Sequence, residues 1–433
     1  MRRVLMVTPH FPPDSSAAAH RVRLLAPHLP AAGWMPTILT LEPSAYEGRL
    51  DPALAALVPT TLDVVRASAW PARWTRYAGF GDLGLRALTG LRRACRSLLA
   101  TRQFDALFIT VYPVYPALLG HSLKTTFGVR FVLDYQDPWV GEWGRSVGGG
   151  RDGEPDWKSR ASRALGEWLE PHAVAAADAL TAVSQGTLDG IARRIPRARG
   201  AVLDVIPLGY EPADFEAVRR ERRRHPRFDQ TDGNVHLCYV GTLLPTGVDT
   251  VRVLLTAVAR ARQTERAASK LRLHFYGTSN QSVGDRCRVL SIAQSCGLAD
   301  VVTETPGRLD YLDALAALGD ASAILLLGSS EPHYTASKLY PALMARRPLV
   351  ALFHQASSVV STLRDVTREP TVRLIAYERP EGDALIDHVA RHLIALAHDC
   401  RYRPADVDFA RAAQLSAPEL ARRLASVLDR VAA

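Results

Sequence analysis

Cysteine is scarce in this chain and scattered. Cys95, Cys238, Cys287, Cys296 and Cys400 are its five thiols, and no two are spaced as CxxC. That spacing argues against a zinc site or a redox motif, and buried free thiols in a reducing compartment are expected. Long hydrophobic runs are missing as well. No stretch approaches the ~18 uninterrupted apolar residues of a spanning helix. The opening MRRVLMVTPHF sets Arg2 and Arg3 before apolar residues. The run is too short for a signal peptide, and Pro9 and Pro12 stop it without a small-residue cleavage site. It reads as a first buried strand. Internal repeats and long low-complexity tracts are absent too. So is GxGxxG after the first strand, which leaves a dinucleotide fingerprint unsupported.

What is present is ample apolar material. Of 433 residues, 47% are hydrophobic and 22% charged, as in folded domains that need neither disulfide nor metal for stability. The length suits two or three domains. The net charge of +9 favours anionic partners. Much of it lies in RRERRRHPR, Arg219 to Arg227. With no aromatic platform or base-reading motif nearby, this run reads as a solvated helix end or linker, and no nucleic-acid partner is expected.

Short apolar runs alternate with longer amphipathic segments. Strands are expected over Val4–Thr8, Pro36–Leu41, Ala106–Thr110, Phe131–Asp134, Ala179–Val183 and Val202–Ile206. The rhythm resumes with Val235–Val240, Leu271–Tyr276, Val301–Glu304, Ala323–Leu327 and Leu349–Phe353. Alternating strands and helices imply an α/β protein with two doubly wound parallel sheets. The expected divisions are 1–208, 209–405 and a helical tail, 406–433, broken at Pro418. The charged segment 209–232 is the expected linker, and the glycine-rich loop 144–153 is a candidate lid.

Ligands of open parallel sheets bind beyond the carboxyl ends of the strands, so the loops there carry the candidates. After the first strand, TPHFPPDSSAAAH holds His10, Ser15 and Ser16 before a helix start that favours an anion. A plain proline-rich connection with a serine cap fits the same residues. After FVLD comes DYQDPW, in which Asp134 and Asp137 can orient an acceptor hydroxyl and Trp139 can stack on a sugar ring. A helix cap at Asp137 with Pro138 following is an equal alternative. In YVGT, Gly241 lets a phosphate approach the backbone and Thr242 offers a hydroxyl; a turn glycine is the rival reading. After AILLL, Thr335, Ser337 and Lys338 stand before a helical pattern, an arrangement suited to a diphosphate. Arg308, after Gly307, can reach an anion or lie idle on the surface.

Taken in order, these motifs resemble GT-B glycosyltransferases of the retaining family-4 type, over most of the chain. HFPPDSSAAAHR is similar to that group's YFPP-GG-x-x-R opening, with Arg21 kept. HLPAAGWMPTILT, LDYQDPW, ADALTAVSQG, VIPLGYEPADF and ASKLYPALMARRPLVAL resemble its later segments. The resemblance implies two Rossmann-like domains facing across a cleft. It implies a nucleotide-diphosphate sugar held by the second at Gly241, Thr242, Arg308, Thr335, Ser337 and Lys338, with Ser15 and Ser16 beside its phosphates. It implies an acceptor on the first domain near His10, Asp134 and Trp139, with Asp137 as the catalytic-site carboxylate. It further implies transfer with retention, no metal and no cofactor besides the donor.

Three positions depart from the pattern. Ser15-Ser16 replaces a glycine pair. Pro341 replaces the glutamate that holds the donor ribose, a contact that proline cannot make. LLPTGVD follows Gly241 where an Arg and a Lys are usual. A degenerate, non-catalytic partner protein and a sugar-nucleotide epimerase are the alternatives. The acceptor class stays open among small molecules, glycans and lipid-linked sugars. A cytoplasmic location is expected, with peripheral contact at the inner membrane face through WPARWTRYAGF (70–80) as one option. Ordinary core packing is the preferred account of Trp70, Trp74 and Tyr77.

Overall fold

The computed structural model describes residues 1–77, 81–140, 157–225, 228–279, 287–331 and 336–433. The chain divides into two compact units, Met1–Leu208 with Ala417–Ala433, and Gly209–Ser416.

The first unit is built on seven strands: β1 (Arg2–Val7), β2 (Trp34–Leu41), β3 (Asp63–Ala67), β4 (Ala106–Thr110), β5 (Arg130–Tyr135), β6 (Ala179–Ala182) and β7 (Val202–Val205). They lie in the order β3-β2-β1-β4-β5-β6-β7, and every neighbouring pair is parallel. Central strands such as β4, with sequence ALFIT, are buried along their whole length, because helices cover both faces of a parallel sheet. On one face the helix Leu83–Thr101 buries Ala87, Leu91, Cys95 and Leu98, a helical spacing that turns a single stripe inward.

The helix Ala417–Ala432 covers the other face. Its Leu420, Leu424, Leu428 and Val431 pack with Val4, Met6, Phe108 and Val132. Each such leucine contributes ~1.5–3 kcal/mol by leaving water. Polar ties fix its register: Asp429 receives hydrogen bonds from Arg2 at 2.8 Å and from the Trp34 indole at 3.0 Å. Asp204 receives Arg423 at 2.6 Å. The break before this helix falls at Gln414–Ser416, and Pro418 stands in its first turn, where a missing N–H is harmless. Phe409–Ala413, just upstream, lies in the second unit.

The second unit carries β8 (Val235–Val240), β9 (Leu271–Tyr276), β10 (Val302–Thr305), β11 (Ala323–Leu327), β12 (Leu349–His354) and β13 (Val372–Tyr377). Their order is β10-β9-β8-β11-β12-β13, again parallel throughout. Each sheet therefore runs outward from its first strand, reverses, and continues on the other side. That is the doubly wound order with a switch point between β1 and β4, and a second between β8 and β11.

Two strands were not expected, β3 and β13, and both are sheet edges. β3 is only partly buried over most of its length, and β13 carries a buried Arg373 whose guanidinium donates to Pro370 O at 2.6 Å. An edge pairs on one side only, so its sequence needs no continuous apolar run. The expected linker 209–232 is also corrected in part. Pro212–Arg220 is a helix, with Asp214 accepting from the Tyr311 hydroxyl at 2.7 Å. Beyond it Arg223 pairs with Asp313 at 2.6 Å and Arg224 with Asp320 at 2.9 Å. Part of the basic run is thus spent on the helix Tyr311–Asp320.

Candidate functional site

At the first switch point, β1 ends at Val7 and a loop runs from Thr8 to the helix Ala19–Leu25. Nδ1 of His10 lies 2.6 Å from Asp14 Oδ2, and the Ser16 hydroxyl donates to the same oxygen at 2.5 Å. Burial alone would raise the Asp14 carboxyl, but hydrogen bonds from His10 and Ser16 and the His10 charge outweigh it and hold the group below its usual range. The imidazole lies between two tyrosines, stacked on Tyr46 at 6.2 Å and tilted against Tyr112 at 5.6 Å. Tyr112 follows β4, so His10 stands where the strand order reverses. Ser15 donates to Arg49 O at 2.8 Å. Both serine hydroxyls expected to serve the donor are therefore engaged within the loops of their own unit.

DYQDPW divides in two. Asp134 is sealed inside the unit. Arg21 reaches it with Nε at 2.8 Å and Nη2 at 2.6 Å, and Thr181 donates at 2.6 Å. The remaining Arg21 nitrogen donates to Pro207 O at 2.8 Å. A buried carboxylate must be paired and hydrogen-bonded, and Asp134 is; it has a structural task in place of the acceptor contact expected of it. Asp137 is exposed in the bend after β5, and 136–140 form no helix, so Pro138 does not open one there. Trp139 packs at its edge against Tyr115, 6.2 Å between rings, and is half-buried in the core cluster.

The second switch point gathers more of the expected residues. β8 runs into Gly241, whose φ of 133° suits glycine and strains other residues. Lys338 lies directly against it: a Cβ on Gly241 would stand 3.0 Å from the Lys338 Nζ. That ammonium donates to the Tyr239 hydroxyl at 2.6 Å and sits 4.1 Å from the centre of the same ring. Tyr239 in turn donates to Thr242 O at 3.0 Å. No carboxylate faces Lys338 among its described partners, and desolvation pushes its pKa down to about 7. Gly277, after β9, has a φ of 71°. A Cβ there would fall 3.7 Å from Arg308 Cα and 3.8 Å from Gly241 N. Four strand-end loops thus converge on Gly241, Gly277, Arg308 and Lys338.

Ser337 is half-buried in the turn before the helix. Thr335 lies outside the described residues, as do the loop 144–153 and Phe80. The helix Leu339–Met344 has six residues, with Pro341 third among them, too short for the aligned dipole expected of it. What this corner offers an anion is a lysine beside two glycine turns. Tyr239, Gly277 and Asp14 were missed. The Gly-Thr pair that ends β8 recurs after β9 in HFYGTS, and that repetition was the available signal for Gly277.

Two doubly wound parallel units in one chain form the architecture of the GT-B glycosyltransferases. Residues 16–209 match the family model described as a glycosyl transferase 4-like domain. Among solved structures, the trehalose-phosphate synthase of Burkholderia xenovorans matches with a TM-score of 0.66 at 12% identity, over 99% of this chain and 100% of that one. HepE of Anabaena, solved with UDP and glucose, matches at 0.58 and 14%, over 100% and 96%. A glycosyltransferase of Rickettsia africae matches at 0.57 and 12%, over 99% and 98%. At such identities the likeness is one of fold. No curated protein sequence matches the chain.

Proposed function

We propose that the chain is a glycosyltransferase that moves a sugar from a nucleotide-diphosphate donor to an acceptor hydroxyl or another nucleophile, with retention of configuration. The observation that carries this is the convergence of Gly241, Gly277, Arg308 and Lys338 at the second switch point. The two glycines leave backbone room for phosphate oxygens, and Lys338 supplies a cation with no carboxylate to neutralise it. Thr242 and Ser337 flank the same turn, and this reading assigns Thr335 to the donor as well. Charge developing on the departing diphosphate is met by Lys338 and Arg308, so the reading needs no metal and no cofactor. The acceptor side is the loop cluster of the first unit, with His10 and Trp139 along it. Asp137 is the catalytic carboxylate of this reading, in keeping with its exposure after β5.

UDP-sugars are the first donors to try, since HepE is solved with UDP-glucose. A nucleotide-sugar donor fits the cytoplasm, and a lipid-linked acceptor would bring the chain to the inner face of a membrane. A second reading, a binding partner without turnover, draws on Pro341, which offers the donor ribose no side-chain acceptor. One experiment separates them: thermal shift with a panel of nucleoside diphosphates, followed by assay for sugar release from the donor that stabilises. A shift with release is expected. A shift without release favours the partner reading, and no shift at millimolar nucleotide sinks both.

A further inference from the structure

We infer that the first unit carries a docking surface for an anionic lipid bilayer, formed by Trp70, Trp74 and Tyr77 with the arginines beside them. The core packing expected of these aromatics does not occur. Trp70 is 59% exposed, Trp74 66% and Tyr77 98%, and the helix that holds two of them, Ala72–Tyr77, buries no residue. Large aromatic side chains cluster at surfaces where something covers them.

The platform is held firmly. The Trp70 backbone N–H donates to Arg86 O at 3.0 Å, the Arg86 guanidinium donates back to Trp70 O at 3.0 Å, and the Trp70 indole donates to the Thr89 hydroxyl at 3.0 Å. A Cβ on Gly90 would meet Ser68 O at 1.9 Å, so only glycine lets this segment lie so close on the helix Leu83–Thr101. That helix contains no acidic residue. Its exposed Arg92 and Arg93 stand one turn beyond Thr89, with Arg96 a further turn on. Arg73 lies 5.8 Å from the centre of the Trp74 ring. The acidic groups nearby are spoken for: Glu47 pairs with Arg76 and Arg86, and Asp82 caps the helix.

Aromatic rings beside unneutralised arginines match the two layers of a membrane surface. Indole and phenol settle at the headgroup boundary, and each nearby arginine is drawn to anionic lipid. The combination supplies the two signals that stable peripheral binding needs. Aromatic and arginine side chains also serve protein interfaces; a row of exposed arginines on a helix without one acidic residue is what favours a uniformly anionic layer.

The inference goes beyond the transferase reading, because vesicle binding requires no nucleotide and is measured without one. The full chain is sedimented with vesicles of phosphatidylcholine alone or mixed with phosphatidylglycerol, together with the variants W74S/Y77S and R92E/R93E. The wild type is expected to pellet with the mixed vesicles and to be released by salt. Each double variant should bind roughly tenfold more weakly or worse while keeping the wild-type melting temperature. Tryptophan fluorescence should shift to the blue on binding, and the shift should shrink in W74S/Y77S. Equal pelleting on neutral vesicles, no pelleting on either, or variants that bind as well as wild type would each overturn the inference. So would a self-associated state without vesicles that W74S/Y77S abolishes, since a second copy would then be the occupant.

Discussion

The two units share a strand order and differ in what they hold at the reversal. In the first, the titratable groups are paired off: His10 with Asp14, and Arg21 with Asp134. In the second, Lys338 meets a phenol and an aromatic face in place of a carboxylate. A paired ion is satisfied by the fold. A cation without countercharge in a desolvated corner is held against its preference, and a bound anion would relieve it. One scaffold has thus been given a self-satisfied loop cluster in one copy and an anion-ready corner in the other.

Asp134→Asn is the largest test of that contrast. It strands the buried Arg21 without its countercharge and should destabilise the first unit by about 3–5 kcal/mol. Urea unfolding followed through the buried Trp34 would measure this. Little destabilisation with lost activity would return Asp134 to the acceptor role and erase the contrast. Lys338→Met comes next. Losing a charge-assisted hydrogen bond of about 1.5–3 kcal/mol should weaken nucleoside diphosphate binding roughly 10- to 100-fold in titration calorimetry. Folding stability should hold or rise, because a desolvated charge is removed. Unchanged affinity would place the anion elsewhere.

The shallowest effect is the slope with pH, at most about 1.4 kcal/mol per unit. The Lys338 pKa of about 7 lies below its ordinary 10.5. Between those values the unfolded chain keeps a proton that the folded chain has released, so stability of the second unit should rise with pH across that window. Diphosphate affinity should move the opposite way, falling by at most about tenfold per unit above pH 7, with proton uptake on binding. Both slopes should vanish in Lys338→Met. Slopes that survive the substitution would belong to another group.

Much of this was legible along the chain. β4, β8, β9 and β11 match their expected bounds: β4 and β11 are near-continuous apolar runs, and β8 and β9 stay strongly apolar around His236, Arg272 and His274. Strand-end position was legible too, which is why Gly241, Lys338 and Arg308 were singled out. What sequence pattern could not reveal was which polar groups are already satisfied. Asp134 and Asp137 stand three residues apart in one motif, yet one is sealed against Arg21 and the other faces solvent. Trp70 and Trp139 have the same indole, yet one is open and the other half-buried.

Local sequence determined the alternation of strand and helix and the turns that need glycine, since backbone sterics and hydrophobic periodicity act over a few residues. Pairing was decided at a distance. Arg21 finds Asp134 across 113 residues, and Lys338 finds the Tyr239 phenol across 99. Only the folded chain brings such groups within hydrogen-bond reach, and whether a charge is neutralised or left open to a ligand depends on those long-range meetings.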